Sequence, residues 1–179
     1  CEKPTDWKAL AASLTIDRSV GEVDWLVPGP SAALRAVDAF TSRLNLFVDK
    51  RNDPCTNALS DLSPYLHFGQ LSAQRMALKV KARCGPGDKA SLDSFLEESI
   101  VRRELSDNFC FYQPHYDSLK GAAGWARDSL ELHASDKRPH IYSLTQLEAA
   151  KTHEDIWNAA QRQMMITGKM HGFMRMYWA

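Results

Sequence analysis

The sequence predicts an all-α chain. Apolar residues recur at three- and four-residue spacing in window after window, and no run alternates apolar and polar residues with period two. Pro, Ser and Gly also fall where helices start and stop. Residues 1–30 read as an N-terminal linker with room for a short helix, since Trp7 and Trp25 stand among polar residues. Residues 31–179 read as one helical domain. Pro28-Gly29-Pro30 is turn chemistry, and Ser31 caps a run in which Leu34, Val37, Phe40, Leu44 and Phe47 share helical spacing.

That helix ends at Lys50-Arg51-Asn52-Asp53-Pro54, which opens a loop to Ala58. Ser63 before Pro64 is an N-cap followed by proline at the first helical position, so a short helix starts at Pro64. Further helices are expected from Ser72 to Arg83 and, after Cys84-Gly85-Pro86-Gly87, from Leu92 to Phe109. In the second, Phe95, Leu96, Ser99, Ile100 and Leu105 make one buried face. Gln113-Pro114 breaks the pattern. Shorter helices follow near 122–133, 144–150 and 156–167, and from Met170 onward, with Thr145 and Glu148 at capping-box spacing and Gly168 as a helix stop.

The composition, 44% hydrophobic and 25% charged in 179 residues, is that of an ordinary globular domain with its own core. No run approaches the roughly 20 apolar residues needed to cross a bilayer, and no signal peptide is visible. Lys plus Arg and Asp plus Glu balance at 22 each, so any nucleic-acid site must be a local patch. Cys1, Cys55, Cys84 and Cys110 are far apart and show no zinc-ligand spacing, so they read as reduced thiols and no metal is expected. The chain starts at Cys1 rather than Met and stops at Ala179 inside an apolar helical pattern, which reads as a piece of a longer protein.

Two constellations carry chemistry. Leu59-Ser60-Asp61-Leu62-Ser63-Pro64 places small hydroxyl residues in the turn feeding a helix N-terminus, which is either plain capping or an anion site for a diphosphate, with Arg51 as a nearby cation. Glu98 and Arg102 stand at i and i+4 on one helical face. They form either a surface ion pair or a carboxylate and guanidinium that meet a nucleobase and phosphate. Trp125, Trp157 and Trp178 fall among the C-terminal helices, and Met164, Met165, Met170, Met174 and Met176 make a soft stripe. Core packing accounts for most such residues. His153 and His171 are isolated and read as structural.

Taken together, LSDLSPYLHFGQLSAQR, FLEESIVRRELSDNFCFYQP, KTHEDIWNAAQRQM and GKMHGFMRMYWA resemble, in order and spacing, the helical flavin-binding domain of the class II cyclobutane pyrimidine dimer photolyases. The resemblance runs from about Trp7 to Ala179. It implies a helical FAD-binding domain over 31–179, incomplete at its C-terminus, in an enzyme whose missing N-terminal domain binds an antenna chromophore. It also implies light-driven repair: photoexcited reduced FAD passes an electron to a pyrimidine dimer flipped out of UV-damaged DNA. A monomeric protein working in nucleus or plastid, or in cytoplasm if prokaryotic, is the matching expectation.

Residue by residue, the resemblance makes Leu59, Ser60, Asp61, Leu62 and Ser63 the cradle of the flavin phosphates. Phe47 and Phe95 become walls of the flavin site, and Arg175 and Met176 neighbours of the isoalloxazine. Phe47 stands where Tyr is common, and Asp61 where Asn is usual. Glu98 is implied to hydrogen-bond the dimer, and Arg51, Arg102, Arg103 and Ser106 to lie on the DNA side. Trp178 and Trp157 match the proximal and middle members of a tryptophan chain that reduces the flavin. Two alternatives stay open: a cryptochrome-like blue-light flavoprotein, and, for this chain by itself, a non-catalytic helical DNA-binding module.

Overall fold

A computed structural model describes residues 4–179; Cys1 lies outside the described residues. The fold is all-α, with no strand among the described residues. The helices run α1 (Trp7–Ser13), α2 (Pro30–Thr41), α3 (Phe47–Lys50), α4 (Ser63–His67), α5 (Ala73–Arg83) and α6 (Lys89–Leu96). They continue as α7 (Arg103–Tyr112), α8 (Gly124–Leu132), α9 (Leu144–Glu148), α10 (Asp155–Thr167) and α11 (Gly172–Trp178). None is long and apolar enough to cross a membrane.

The core lies between α2, α3, α5 and α6. Val37, Phe40, Leu44, Phe47, Met76, Val80 and Phe95 are buried there, with Leu62 and Tyr65 closing it from the loop before α4 and from α4 itself. Phe40, Phe47 and Phe95 form a three-ring cluster with centroids 4.8–5.7 Å apart, and Phe47 meets the other two edge-on. Polar ties fix the layers. Asp38 on α2 accepts Lys79 of α5 at 2.8 Å, which, with Arg83 beside it, holds the carboxyl below its usual range. The Val48 N–H donates to Ser91 Oγ on α6 at 3.1 Å.

Several expected boundaries move. The run from Leu34 to Phe47 is two helices: α2 stops at Thr41, and a 3-10 turn over Leu44–Leu46 rotates Leu44 and Phe47 back onto the core. Gly29 rather than Ser31 is the N-cap of α2, because Pro30 already occupies the first turn. Likewise Ser63 lies inside α4, one residue earlier than expected, and makes no cap hydrogen bond. The capping box of α9 is Ser143 with Gln146 instead of Thr145 with Glu148. Ser72 does cap α5, accepting the Arg75 N–H at 3.3 Å.

The largest departure is in the expected helix from Leu92 to Phe109. It begins at Lys89 and is interrupted by a π-helical turn over Glu97–Arg102. The i→i+5 bonding of that turn rotates the next helical residues off the buried face, so Ile100 and Leu105 are exposed. The tryptophan and methionine expectation also changes. Trp7 and Trp125 are exposed, and of the methionine stripe only Met170 is buried.

Gly168 ends α10 in the left-handed region at φ 69°, its N–H donating to Met164 O at 2.9 Å. A Cβ there would stand 2.6 Å from Val23 Cγ1. Conformation and space both demand glycine. Gly168→Ala is therefore expected to cost about 1–2 kcal/mol, read as a lower Tm in thermal unfolding.

Candidate functional site

A cleft of about 320 Å³ opens between the loop before α4, the α3–α6 pair with its π turn, and the α10–α11 turn. Leu59, Ser60, Asp61, Leu62 and Ser63 make one wall, Phe47, Phe95, Glu98 and Arg103 another, and Lys169, Met170, Gly172 and Arg175 a third. Its volume falls within the range of small-molecule sites, and its lining combines an apolar floor with a few convergent polar groups. Ten of the residues singled out from the sequence thus share one cleft.

The loop wall is held from behind. Arg43, just past the end of α2, donates from Nη1 to Ala39 O and from Nη2 to Leu59 O at 3.0 Å, fixing the carbonyl that precedes Ser60. Asp61 then adopts φ 56°, a left-handed conformation that Asp and Asn tolerate better than most residues. Its carboxylate accepts Lys169 Nζ, and that ammonium also lies 5.4 Å from the centre of the Trp25 ring. α4 itself is only five residues long, so its dipole is small. Compensation for an anion on this wall has to come from side chains.

At the opposite rim Glu98 pairs with Arg51, Nη1 to Oε1 at 3.2 Å, and not with Arg102. Arg102 instead reaches Glu97 at 3.2 Å. The π turn is the cause: it brings residues five apart onto one face, so the expected i,i+4 pair of Glu98 and Arg102 is replaced by an i,i+5 pair. Glu98 is thereby released toward the cleft. Arg51 also donates to Ser94 Oγ and stands 5.5 Å over the Phe47 ring. Arg103 lines the cleft while pairing with Glu104 and Asp107; Arg102 and Ser106 are exposed and outside it.

Trp157 and Trp178 lie beside a neighbouring apolar groove, their rings stacked at 5.8 Å and 14°. Trp157 Nε1 donates to Trp178 O and Trp178 Nε1 to Gln161 Oε1, each at 3.0 Å, so both indoles are held in place. Indoles in contact can exchange an electron, which residue spacing alone does not reveal. Met176 is exposed and lines neither cavity. His153 is also outside the cleft, stacked on His140 at 3.8 Å.

Lys169 and His171 were not marked out as site residues by the sequence. The only signal for Lys169 is a cation directly after a glycine helix stop. His171 caps α11, its Nδ1 accepting the Phe173 N–H, so the proton sits on Nε2, which is buried without a partner. Burial, with the Lys169 ammonium nearby, holds the imidazole below its ordinary value of 6.5. The unfolded chain takes up this proton at a higher pH than the folded chain. The stability tied to the neutral ring is therefore full above 6.5 and lost as pH falls from there through the lowered folded value. His171→Asn keeps an acceptor for the cap and removes the titration. Its unfolding free energy should fall less steeply than wild type between pH 7 and pH 5 in denaturant titrations. Among the described residues no group of three His, Cys, Asp or Glu could hold a metal ion, and Cys55, Cys84 and Cys110 are free thiols.

No protein-family model matches the chain. Its sequence is 54% identical to a deoxyribodipyrimidine photo-lyase of Potorous tridactylus over 99% of the chain and 33% of that protein. It is 56% identical to a deoxyribodipyrimidine photo-lyase of Oryza sativa subsp. japonica over 97% of the chain and 36% of that protein. A bacterial class III photolyase from Agrobacterium tumefaciens superposes with a TM-score of 0.65 at 27% identity, over 84% of this chain and 30% of that one. The chain thus spans about a third of the length of the curated relatives it matches. Identity above one half is sustained along nearly every residue and joined to a shared helical fold, so the chain is similar nearly end to end to about a third of the length of these deoxyribodipyrimidine photo-lyases.

Proposed function

We infer that this chain forms the flavin and lesion site of a class II deoxyribodipyrimidine photo-lyase, an enzyme that repairs cyclobutane pyrimidine dimers in UV-damaged DNA with light. The observation that carries this reading is the convergence of Leu59–Ser63, Phe47, Phe95, Glu98 and Arg175 on one cleft. The class II assignment is supported by the quoted segments, and by identity to the two named relatives about twice that to the class III protein.

The residues present fit FAD. Phe47, Phe95 and Met170 offer an apolar floor for a flat ring, and Arg175 a cation beside it. The hydroxyls of Ser60 and Ser63, with Lys169, offer donors for phosphates. Reduced FAD, when bound and photoexcited, supplies the electron that splits the dimer. The chain's own residues do the rest. Glu98, held by Arg51 at the rim, accepts a hydrogen bond from the ring N–H edge of a flipped-out dimer, and the floor excludes water from the ring. Trp157 and Trp178 relay electrons that restore the reduced cofactor. Arg103 on the cleft wall, with Arg102 and Ser106 beyond the rim, fits contacts to the DNA backbone, and Met176 a contact to further parts of the protein.

The test is a dimer-repair assay on the protein that carries this segment, loaded with reduced flavin and exposed to blue light. Loss of dimers is expected under light and not in darkness. Bound flavin with no loss of dimers favours a signalling flavoprotein. Equal, flavin-independent affinity for damaged and undamaged duplex favours a DNA-binding module. A nuclear, plastid or cytoplasmic setting, a monomeric state and an antenna chromophore on another domain complete the reading.

A further inference from the structure

The wall that carries Ser60 and Ser63 has little helix dipole behind it, since α4 is five residues long, so an anion there needs a charged side chain. Among the cations lining the cleft, Arg103 is engaged by Glu104 and Asp107 on its own helix, and Arg175 is the cation assigned above to the flat ring. Lys169 is different. It comes from the wall made by the α10–α11 turn, contacts Asp61 in the middle of the Ser60–Ser63 loop, and its side chain is one-third exposed. A lysine ammonium is a compact charge with three donors. Asp61 takes one, and the Trp25 face fills another side at 5.4 Å, which leaves the group able to serve a second anion from the cleft.

The surrounding contacts hold this ammonium in place. Trp25 Nε1 donates to Thr167 O at 2.8 Å, and Val23 packs over Gly168, so residues 23–25 brace the turn that presents Lys169. Among the described residues, the Trp25–Thr167 and Lys169–Asp61 bonds are the two hydrogen bonds that join α10, α11 and their turn to anything before residue 120. An anion bound by Lys169 therefore closes the seam between the two walls of the cleft.

We propose that Lys169 binds the diphosphate of the flavin dinucleotide, with Asp61 and Trp25 holding its ammonium at the cleft edge; this rests on the flavin-binding function inferred above. Asp61 is at once the holder of Lys169 and a competitor of the phosphates. The test is isothermal titration of the full 179-residue chain with ADP, which carries the diphosphate, and with riboflavin, which carries none. Lys169→Met is expected to weaken ADP roughly tenfold, the worth of one charge-assisted hydrogen bond, and to leave riboflavin unchanged. Asp61→Asn keeps the lysine and suits the left-handed backbone, and is expected to tighten ADP roughly two- to fivefold.

Equal ADP affinity in wild type and Lys169→Met overturns the proposal. So does a parallel loss of ADP and riboflavin, which marks a structural role, or a weaker ADP complex in Asp61→Asn. Absence of ADP binding to wild type overturns it too. Lys169-dependent ADP binding by a chain that takes no riboflavin sinks the flavin reading and leaves the diphosphate role standing.

Discussion

Phenylalanine in place of Trp178 is expected to stop light-driven reduction of oxidised flavin on the timescale at which the wild type is reduced, while repair by flavin reduced chemically beforehand proceeds normally. Trp157 and Trp178 stack at 5.8 Å, close enough for an electron to pass between them. A phenyl ring is far harder to oxidise than an indole, so the substitution removes a relay and keeps an aromatic in the space. Trp157 Nε1 bonds the backbone carbonyl of residue 178, a contact that survives the change. The lost bond from Trp178 Nε1 to Gln161 costs stability, of order 1 kcal/mol. A Gln161→Ala control, which loses the same bond with both indoles retained, should still photoreduce. The measurement is the rate of flavin bleaching under blue light with an external reductant, in the protein that carries this segment. An unchanged rate removes the pair from the electron path.

Glu98→Ala is expected to lower repair per absorbed photon by roughly tenfold, the factor supplied by one hydrogen bond to a charged group of about 1.5 kcal/mol. Flavin should stay bound, because Glu98 stands at the rim while Phe47, Phe95 and the Leu59–Ser63 loop make the floor and wall. Glu98→Gln should fall between the two, since it keeps a hydrogen-bonding end and loses the charge. Arg51 gives a useful contrast. Its guanidinium holds Glu98 at 3.2 Å and also bonds Ser94, so Arg51→Met should weaken repair through misplacement of Glu98. If neither Glu98 variant alters dimer loss per photon at saturating DNA, the carboxylate has no part in the chemistry.

The helical fold was legible in the sequence because its punctuation is local. Ser72 caps α5 and Gly168 stops α10, since a side-chain oxygen beside free N–H groups and a left-handed residue after the last turn are both readable from residue type. What failed to show was geometry set by packing. Apolar spacing cannot distinguish an α turn from the π turn at Glu97–Arg102, and that one difference gives Glu98 to Arg51 and Arg102 to Glu97. Leu44 and Phe47 fit one long helix by periodicity, yet the chain breaks after Thr41 so that Phe47 can meet Phe40 and Phe95 edge-on.

In the candidate site the Leu59–Ser63 loop, Phe47, Phe95, Glu98 and Arg175 were all legible from motif order, and they share the cleft. Lys169 was not. Its importance lies in contacts 108 residues away at Asp61, and nothing in a single lysine after a glycine announces such a partner. Met176, adjacent to Arg175, shows the converse. A residue next to a site residue on a helix points about a quarter-turn away, and here it is exposed outside the cleft.

One cleft, made by residues of this chain, is proposed to hold a flavin dinucleotide. The most direct test is an absorption and fluorescence titration of the purified chain with FAD, with far-UV circular dichroism on the same sample to establish that it is helical. Saturable binding of one FAD per chain, with the flavin fluorescence altered on transfer to an apolar floor, is the predicted result. A helical chain that leaves the FAD spectrum and fluorescence unchanged would mean that this cleft does not hold FAD.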